Sequence, residues 1–150
     1  MADGDRSGFD VRRFAAALKL GHGGRLGIVH HDHGPGGDDP WVELALPYAP
    51  DLVGDPATGI IASGPIAALM DMATSMSVWS RRGRFSPHAT LDLRIDYLRA
   101  ATPQRTVIGH GDCYRLTRSV AFVRGQAYDG DPADPIAHVA GTFMLMDDWT

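Results

Sequence analysis

The middle of the chain contains a long, nearly uncharged stretch. Between Asp55 and Arg81 the only ionisable side chain is Asp71. From Gly64 to about Trp79 nearly every residue is apolar or small, which is typical of a helix covered by other structure on almost all sides. A membrane span is disfavoured because prolines, glycines and hydroxyl residues interrupt the stretch. We therefore predict a central, buried helix.

Length and composition indicate one globular domain over residues 1–150. At 150 residues and 44% hydrophobic, the chain is long enough for a single compact core and too short for two ordinary domains. A formal net charge of -4 fits neither a disordered tail nor a nucleic-acid binder. The lone Cys113 and the acidic start Met1–Asp5 are typical of a reducing cytoplasm and not of an exported protein. We expect a cytoplasmic protein without nucleic-acid or membrane partners.

The elements before the central helix are predicted from periodicity and turn residues. Apolar residues near helical spacing indicate an amphipathic helix that flanks or covers the domain, within an N-terminal extension over residues 1–24. A hairpin and an irregular loop follow. The predicted ranges are Gly8–Leu20 for the helix, Arg25–His31 and Trp41–Leu46 for the strands, His33–Pro40 for their turn and Pro47–Gly59 for the loop.

The chain after the central helix is predicted to form four strands. In Thr90–Leu98 apolar residues alternate with polar ones, which predicts a half-buried strand with Leu91, Leu93, Ile95 and Tyr97 on one face. Three more strands are predicted at Thr106–Tyr114, Ser119–Tyr128 and Pro135–Met146, with turns at Arg115–Arg118 and Asp129–Pro132. We predict an α+β fold in which a meander of antiparallel strands wraps one helix, and a second subunit covers the helix's remaining surface.

Asp71 is the main candidate for chemistry. A carboxylate in the middle of a buried helix requires a hydrogen-bond partner or a function. Thr74 and Ser75 lie within one helical turn, so a purely structural hydrogen bond is one interpretation.

The start of the helix supplies a second candidate feature. Ser63 suits the N-cap, Gly64 permits close backbone approach, and Pro65 is tolerated in the first turn. Free N–H groups at such an end can stabilise a developing oxyanion, for example that of a thioester carbonyl under attack.

Three segments resemble a known family, the hotdog-fold acyl-CoA thioesterases of the phenylacetate-degradation (PaaI-like) type. The run Gly59–Ala73 is similar to its signature of His-Gly-Gly, an apolar stretch with Ala-Leu, and a carboxylate seven residues after the second glycine, which Gly64 and Asp71 match. Thr90–Ala101 resembles a strand ending in Tyr-Leu-Arg-Pro-Ala, with Ala100 in place of the proline. Tyr114–Val123 resembles the basic turn and strand beside CoA.

The resemblance implies a hotdog fold and hydrolysis of an acyl-CoA without a cofactor or metal. It implies that Asp71 is nucleophile or general base, that the N–H of Ser63 beside Gly64 polarises the carbonyl, and that Thr90 orders the water. It also implies an active site shared between two subunits of a dimer or a dimer of dimers. The residues expected to bind substrate or CoA are Ala62, at the motif histidine's position, Arg115 and Arg118 with their guanidinium groups, and Ser119.

Departures from the family pattern keep other functions open. Because Ala62 and Ser63 replace the motif histidine and first glycine, an acyl-CoA-binding module without catalysis is the main alternative. A hotdog dehydratase or hydratase is weaker, since such enzymes pair a histidine with a carboxylate and none lies between His33 and His88.

Further residues have two interpretations each. Nine arginines between Arg81 and Arg124 either meet an anionic ligand or are solvated. The donors of His30–His33 suit zinc, but strand geometry puts His31 and His33 on one face and His30 and Asp32 on the other, which favours a metal-free cluster. Apolar residues of the central helix line an acyl pocket or belong to the ordinary core, namely Leu69, Met70, Met76 and Trp79.

Overall fold

The structure, a computed structural model, describes residues 9–146. Helix α1 spans Val11–Ala17 and continues as a 3-10 turn over Leu18–Leu20, which confirms the predicted N-terminal helix, although Gly8 lies outside the described residues. A second short helix, α2, covers His22–Leu26, so the prediction of a strand beginning at Arg25 is wrong. Gly27 ends α2 in the left-handed region, with φ of 82°, where glycine has no steric penalty.

Six strands form one antiparallel sheet, and two short ones form a separate ribbon. The sheet order is β1-β2-β6-β7-β8-β5, and β3 pairs with β4. The strands are β1 Val29–His33, β2 Val42–Leu46, β3 Val53–Asp55, β4 Ile60–Ile61, β5 His88–Tyr97, β6 Val107–Leu116, β7 Val120–Tyr128 and β8 Ala137–Leu145.

The strand order corrects one prediction. The hairpin of β1 and β2 is confirmed, but β5 does not neighbour β6 as a four-strand meander requires. One edge of β6 pairs with β2 and the other with β7, so β5 joins the far edge of the sheet beside β8. At that edge β5 is less covered than its alternating pattern predicts: Leu93 and Ile95 are half-buried, whereas Leu91 and Tyr97 are exposed.

The segment predicted as an irregular loop, Pro47–Gly59, contains regular structure. A 3-10 turn spans Pro50–Leu52, and strand β3 follows it and pairs with β4 immediately before the central helix. The N–H of Ala62 donates to the carbonyl of Leu52 at 2.8 Å. This ribbon therefore fixes where the central helix begins.

The central helix, α3, spans Ser63–Arg82 and packs on the inner face of the sheet. Two glycines of β6 allow the close approach: a Cβ on Gly111 would lie 2.5 Å from the carbonyl carbon of Ala73, and one on Gly109 would lie 2.7 Å from Cγ of Leu69. The α+β class with one sheet around one long helix is thus confirmed. The helix side chains that are buried are Ile66, Leu69, Met70, Ala73, Thr74, Met76, Ser77, Val78 and Ser80.

Within a single chain, helix α3 is not covered on all sides, and its coverage by a second subunit stays a prediction. One stripe, which includes Asp71, Met72 and Ser75, stays partly exposed. The N-terminal helices cover the C-terminal part of α3, where the rings of Phe14 and Trp79 meet at 4.5 Å, and Gly23 of α2 approaches Met72 at the middle of the helix. Among the described residues, no helix is both long enough and apolar enough to span a membrane.

Replacing Gly111 with alanine tests the close contact between α3 and β6. The added Cβ overlaps helix backbone, which cannot move aside as a flexible side chain would, so we expect a loss of about 1–3 kcal/mol in the free energy of unfolding. Urea unfolding measures this loss. The control is Gly21→Ala, because its added Cβ would have a single neighbouring atom, the Leu18 carbonyl oxygen at 4.0 Å. Equal stability of the two variants would contradict the described packing.

Candidate active site

The first turn of α3 presents uncapped N–H groups. The N-cap is Ala62, with φ of -63° and ψ of 158°, and it makes no side-chain capping bond. Ser63 is the first helical residue, so its prediction as the N-cap is wrong, whereas Pro65 lies in the first turn as predicted. Ser63 and Gly64 are exposed, and a Cβ on Gly64 would meet no atom within 4 Å. The helix therefore offers donors to an approaching ligand.

Asp71 is held by a strand and not by its own helix. Thr90, on β5, donates its hydroxyl hydrogen bond to Oδ1 of Asp71 at 2.9 Å. The Thr74 hydroxyl donates to backbone carbonyls, that of Met70 at 2.7 Å and that of Asp71 at 3.2 Å, and does not reach the carboxylate. Asp71 is partly exposed, so its predicted burial is wrong for the isolated chain. Two predicted site residues, Asp71 and Thr90, therefore lie together.

Next to this pair lies a second polar contact that the sequence did not reveal. Ser75, one helical turn beyond Asp71, is hydrogen-bonded to Nε2 of His88 at 2.6 Å. The imidazole packs between the rings of Trp79, at 4.6 Å, and Phe143, at 5.0 Å. Burial, with a smaller contribution from the nearby charge of Arg82, lowers the pKa of His88 to about 4. The imidazole is therefore neutral at physiological pH.

His88 bears on the dehydratase interpretation. No histidine lies between His33 and His88 in the sequence, but the fold places His88 on the same strand as Thr90, two residues before it. Its Nε2 is bound to Ser75, and its Nδ1 is buried without a hydrogen-bond partner in the described chain. Neither nitrogen is presented to a substrate at Asp71, so this histidine does not form the acid–base pair of a hydratase.

The end of β5 contacts the start of α3. The hydroxyl of Tyr97 donates to the carbonyl oxygen of Ser63 at 3.0 Å. Both residues line a cavity of about 360 Å³, whose other walls include Ile66, Leu98 and Ile136. A mostly apolar cavity thus opens beside the uncapped N–H groups of the helix.

Three of the residues predicted to bind CoA lie at the other end of α3, whereas Ala62 is the N-cap of the helix. Strand β6 continues to Leu116, so Arg115 belongs to the strand and not to a turn. Arg115, Arg118 and Ser119 are exposed. Since β6 passes Ala73 at Gly111 and runs on toward the helix C-terminus, one chain does not bring these three residues to Ser63.

The remaining candidates are structural in the described chain. Leu69, Met70 and Met76 are buried in the hydrophobic core, which supports their interpretation as core residues and not as an acyl pocket.

A register shift between His30 and Asp32 alters the predicted faces of β1 and brings Nε2 of His30 to 2.7 Å from Nδ1 of His33. Across residues 9–146 no group of three or more histidine, cysteine or acidic side chains is arranged to hold a metal ion.

The low pKa of His88 gives a testable pH dependence. A histidine in the unfolded chain binds a proton near pH 6.5, whereas His88 in the folded chain binds one only near pH 4. Protonation therefore favours the unfolded chain. The contribution of His88 to the free energy of unfolding is fully present above pH 6.5 and is lost as the pH falls toward 4. We expect the His88 ring to titrate near pH 4 by NMR, and His88→Gln to weaken the dependence of urea unfolding on pH between 7 and 4.5. His138→Gln, at an exposed position, is the control. Titration of the His88 ring near pH 6.5 would refute the described burial.

Comparisons with known proteins agree with this architecture. The family model described as "Thioesterase superfamily" matches residues 58–136. A solved structure of a Pseudomonas aeruginosa protein is 39% identical, with 95% of this chain and 98% of that chain covered and a TM-score of 0.77. A search of the curated proteins finds no match.

More distant structures share the fold. A Haemophilus influenzae thioesterase is 15% identical, with a TM-score of 0.80 over 95% of this chain and 94% of that one. A point mutant of the phenylacetic acid degradation protein PaaI from Thermus thermophilus is 22% identical, with a TM-score of 0.68 over 83% and 97% of the two chains. The fold is therefore the hotdog fold, and with the family match over residues 58–136 the chain belongs to the thioesterase superfamily.

Proposed function

We propose that the protein hydrolyses acyl-CoA thioesters to free CoA and a carboxylic acid, with Asp71 as the catalytic carboxylate. The observation that supports this most is the hydrogen bond from Thr90 to Asp71. Asp71 lies on α3, and the first turn of that helix carries uncapped N–H groups. A carboxylate to activate water or attack the carbonyl, and donors for the oxyanion, are the two functions that thioester hydrolysis needs.

The hydrogen bond from Thr90 fixes the orientation of the Asp71 carboxylate. Because Thr90 donates to Oδ1, Oδ2 remains available to a water molecule or to the thioester carbon. As a general base, Asp71 takes a proton from water while the water oxygen adds to the carbonyl carbon. The tetrahedral intermediate then expels the CoA thiolate, which recovers that proton. As a nucleophile, Asp71 adds to the carbonyl carbon and the C–S bond breaks, which releases the CoA thiolate and leaves a mixed anhydride. Water then hydrolyses the anhydride to the carboxylic acid and the Asp71 carboxylate, and the proton that water loses goes to the thiolate.

The N–H of Ser63 is the proposed oxyanion donor, with that of Gly64 beside it. The first N–H groups of a helix have no intrahelical acceptor and lie at the positive end of the helix dipole. Since Ala62 provides no capping side chain, these donors are open to a substrate oxygen. A carbonyl oxygen that gains negative charge on attack is bound more strongly there than the neutral substrate.

Helix geometry supports a site shared between two subunits. Ser63 and Asp71 are eight residues apart, about 12 Å along the helix axis, which is too far for both to act on one carbonyl group. Two antiparallel copies of α3 would place Asp71 of one copy opposite Ser63 of the other, crossing near Ala67 and Ala68. Small residues there would allow close approach, and the second subunit would cover the partly exposed stripe. We therefore propose a dimer, or a dimer of dimers.

The same arrangement accommodates CoA. Arg115 and Arg118 are exposed and present guanidinium groups that suit phosphates. Ser119, beside them, can hydrogen-bond the pantetheine amide. In two antiparallel subunits the C-terminal end of one α3 lies toward the N-terminal end of the other, so these residues approach the partner's Ser63 end and complete the substrate path.

An acyl-CoA-binding module without catalysis is the second candidate. It is supported by Ala62, which has only a methyl group where the family pattern has a histidine. The two functions differ in release of free thiol from a panel of acyl-CoAs. Thermal stabilisation by these esters without thiol release would favour binding alone.

Replacing Asp71 with asparagine tests the catalytic carboxylate. The amide keeps a hydrogen-bond acceptor for Thr90 but is neither a base nor an effective nucleophile, so we expect kcat to fall by about 100-fold or more. Thiol release from acyl-CoAs measures this loss, and unchanged thermal unfolding shows that the fold is intact. Turnover at the wild-type rate would rule out Asp71 as the catalytic group.

Two substitutions of Ser63 separate its N–H from its side chain. Ser63→Pro deletes the N–H at the first helical position, where proline is tolerated, and the extended backbone of Ala62 suits a following proline. We expect kcat to fall about 100-fold, the usual effect of losing an oxyanion donor. Ser63→Ala retains the N–H and is the matched control, with activity near that of the wild type. If Ser63→Pro is equally active, the donor lies elsewhere.

A further inference from the structure

We propose that Tyr97 is a positioning residue for the oxyanion donors, acting through the first peptide group of α3. This inference rests on the proposed function and extends it to a residue outside the predicted site. It starts from the hydrogen bond between the Tyr97 hydroxyl and the Ser63 carbonyl oxygen, 3.0 Å long.

The planarity of the peptide bond links this contact to a donor. The carbonyl of Ser63 and the N–H of Gly64 belong to one planar, trans peptide group and point in opposite directions. A hydrogen bond that fixes the carbonyl direction therefore also fixes the direction of the Gly64 N–H. At a helix start without a capping side chain, the first turn otherwise frays easily. Tyr97 restrains this first turn through a carbonyl and leaves its N–H groups free.

A restraint is useful only if Tyr97 is itself held in place. Just beyond it, the N–H of Leu98 donates to the carbonyl of Ile136 at 2.8 Å. The guanidinium of Arg99 bonds the Asp129 carboxylate at 2.7 Å. Burial alone would raise the pKa of Asp129, but hydrogen bonds from Arg99 and Thr102 outweigh it and lower this pKa to about 2. The Asp129 carboxylate is thus ionised at physiological pH, and its ion pair with Arg99 anchors the end of β5.

The surroundings indicate that the contact serves the site more than the core. Tyr97 is 46% exposed, so its hydroxyl does not complete a buried polar network. It lies at the cavity of about 360 Å³ that opens beside Ser63. A substrate chain in that cavity would exclude water from the hydroxyl and the carbonyl, and their hydrogen bond would strengthen as the site fills.

The test is Tyr97→Phe, which removes one oxygen atom and keeps the ring. We expect kcat for acyl-CoA hydrolysis to fall about 10-fold, with KM changed less than about 2-fold, because the donors are misdirected mainly in the transition state. Thermal unfolding stays unchanged. The matched control is Tyr48→Phe, since Tyr48 packs against the core and its hydroxyl makes no hydrogen bond among residues 9–146, so we expect its loss to leave kcat unaltered.

A second measurement does not depend on turnover. In ¹⁵N-labelled protein, Tyr97→Phe is expected to shift the amide resonance of Gly64 and to speed its hydrogen exchange, whereas Tyr48→Phe leaves both in place. An unchanged Gly64 amide, or a kcat equal to that of the wild type, overturns the role of Tyr97. If the wild-type protein releases no thiol while the Gly64 amide still responds, hydrolysis fails as the function and the positioning of the peptide group stands.

Discussion

The close contact between α3 and the glycines of β6 sets how the central helix lies on the sheet. With no Cβ on Gly109 or Gly111, the strand meets helix backbone and not only side chains. One face of the helix therefore packs on the sheet, and the opposite stripe stays partly exposed. The position of every functional group on that stripe follows from this packing.

Strand β5 then ties the exposed stripe to the sheet edge through side chains. Tyr97, Thr90 and His88 of this one strand bond the Ser63 carbonyl, the Asp71 carboxylate and the Ser75 hydroxyl of α3. The three bonds fix the helix start, the carboxylate and the turn beyond it as one unit. Asp71, the proposed catalytic carboxylate, is thus held in a fixed orientation, as its chemistry requires, while it remains accessible to a ligand.

The features that were predictable from sequence are those set by local pattern. Uncharged composition located α3 and singled out Asp71, and alternation located the strand that carries Thr90. The pairing of β5 with β8 was not predictable, because it depends on β2 already occupying one edge of β6. The contact of Ser75 with His88 was missed for a similar reason: it joins residues 13 positions apart on different elements, and no periodicity links them. The helix start was misassigned by one residue because the ribbon of β3 and β4, and not a capping side chain, fixes it.

We propose that two copies of α3 complete one another's active site, and a hybrid dimer distinguishes this arrangement from two independent sites. One subunit carries Asp71→Asn and the other Ser63→Pro, each inactive as a homodimer, and two affinity tags isolate the mixed species. Shared sites give the hybrid one intact site of two, so thiol release should return to roughly half the wild-type rate per dimer. A hybrid as inactive as both parents would show that Asp71 and Ser63 do not act across the subunit boundary.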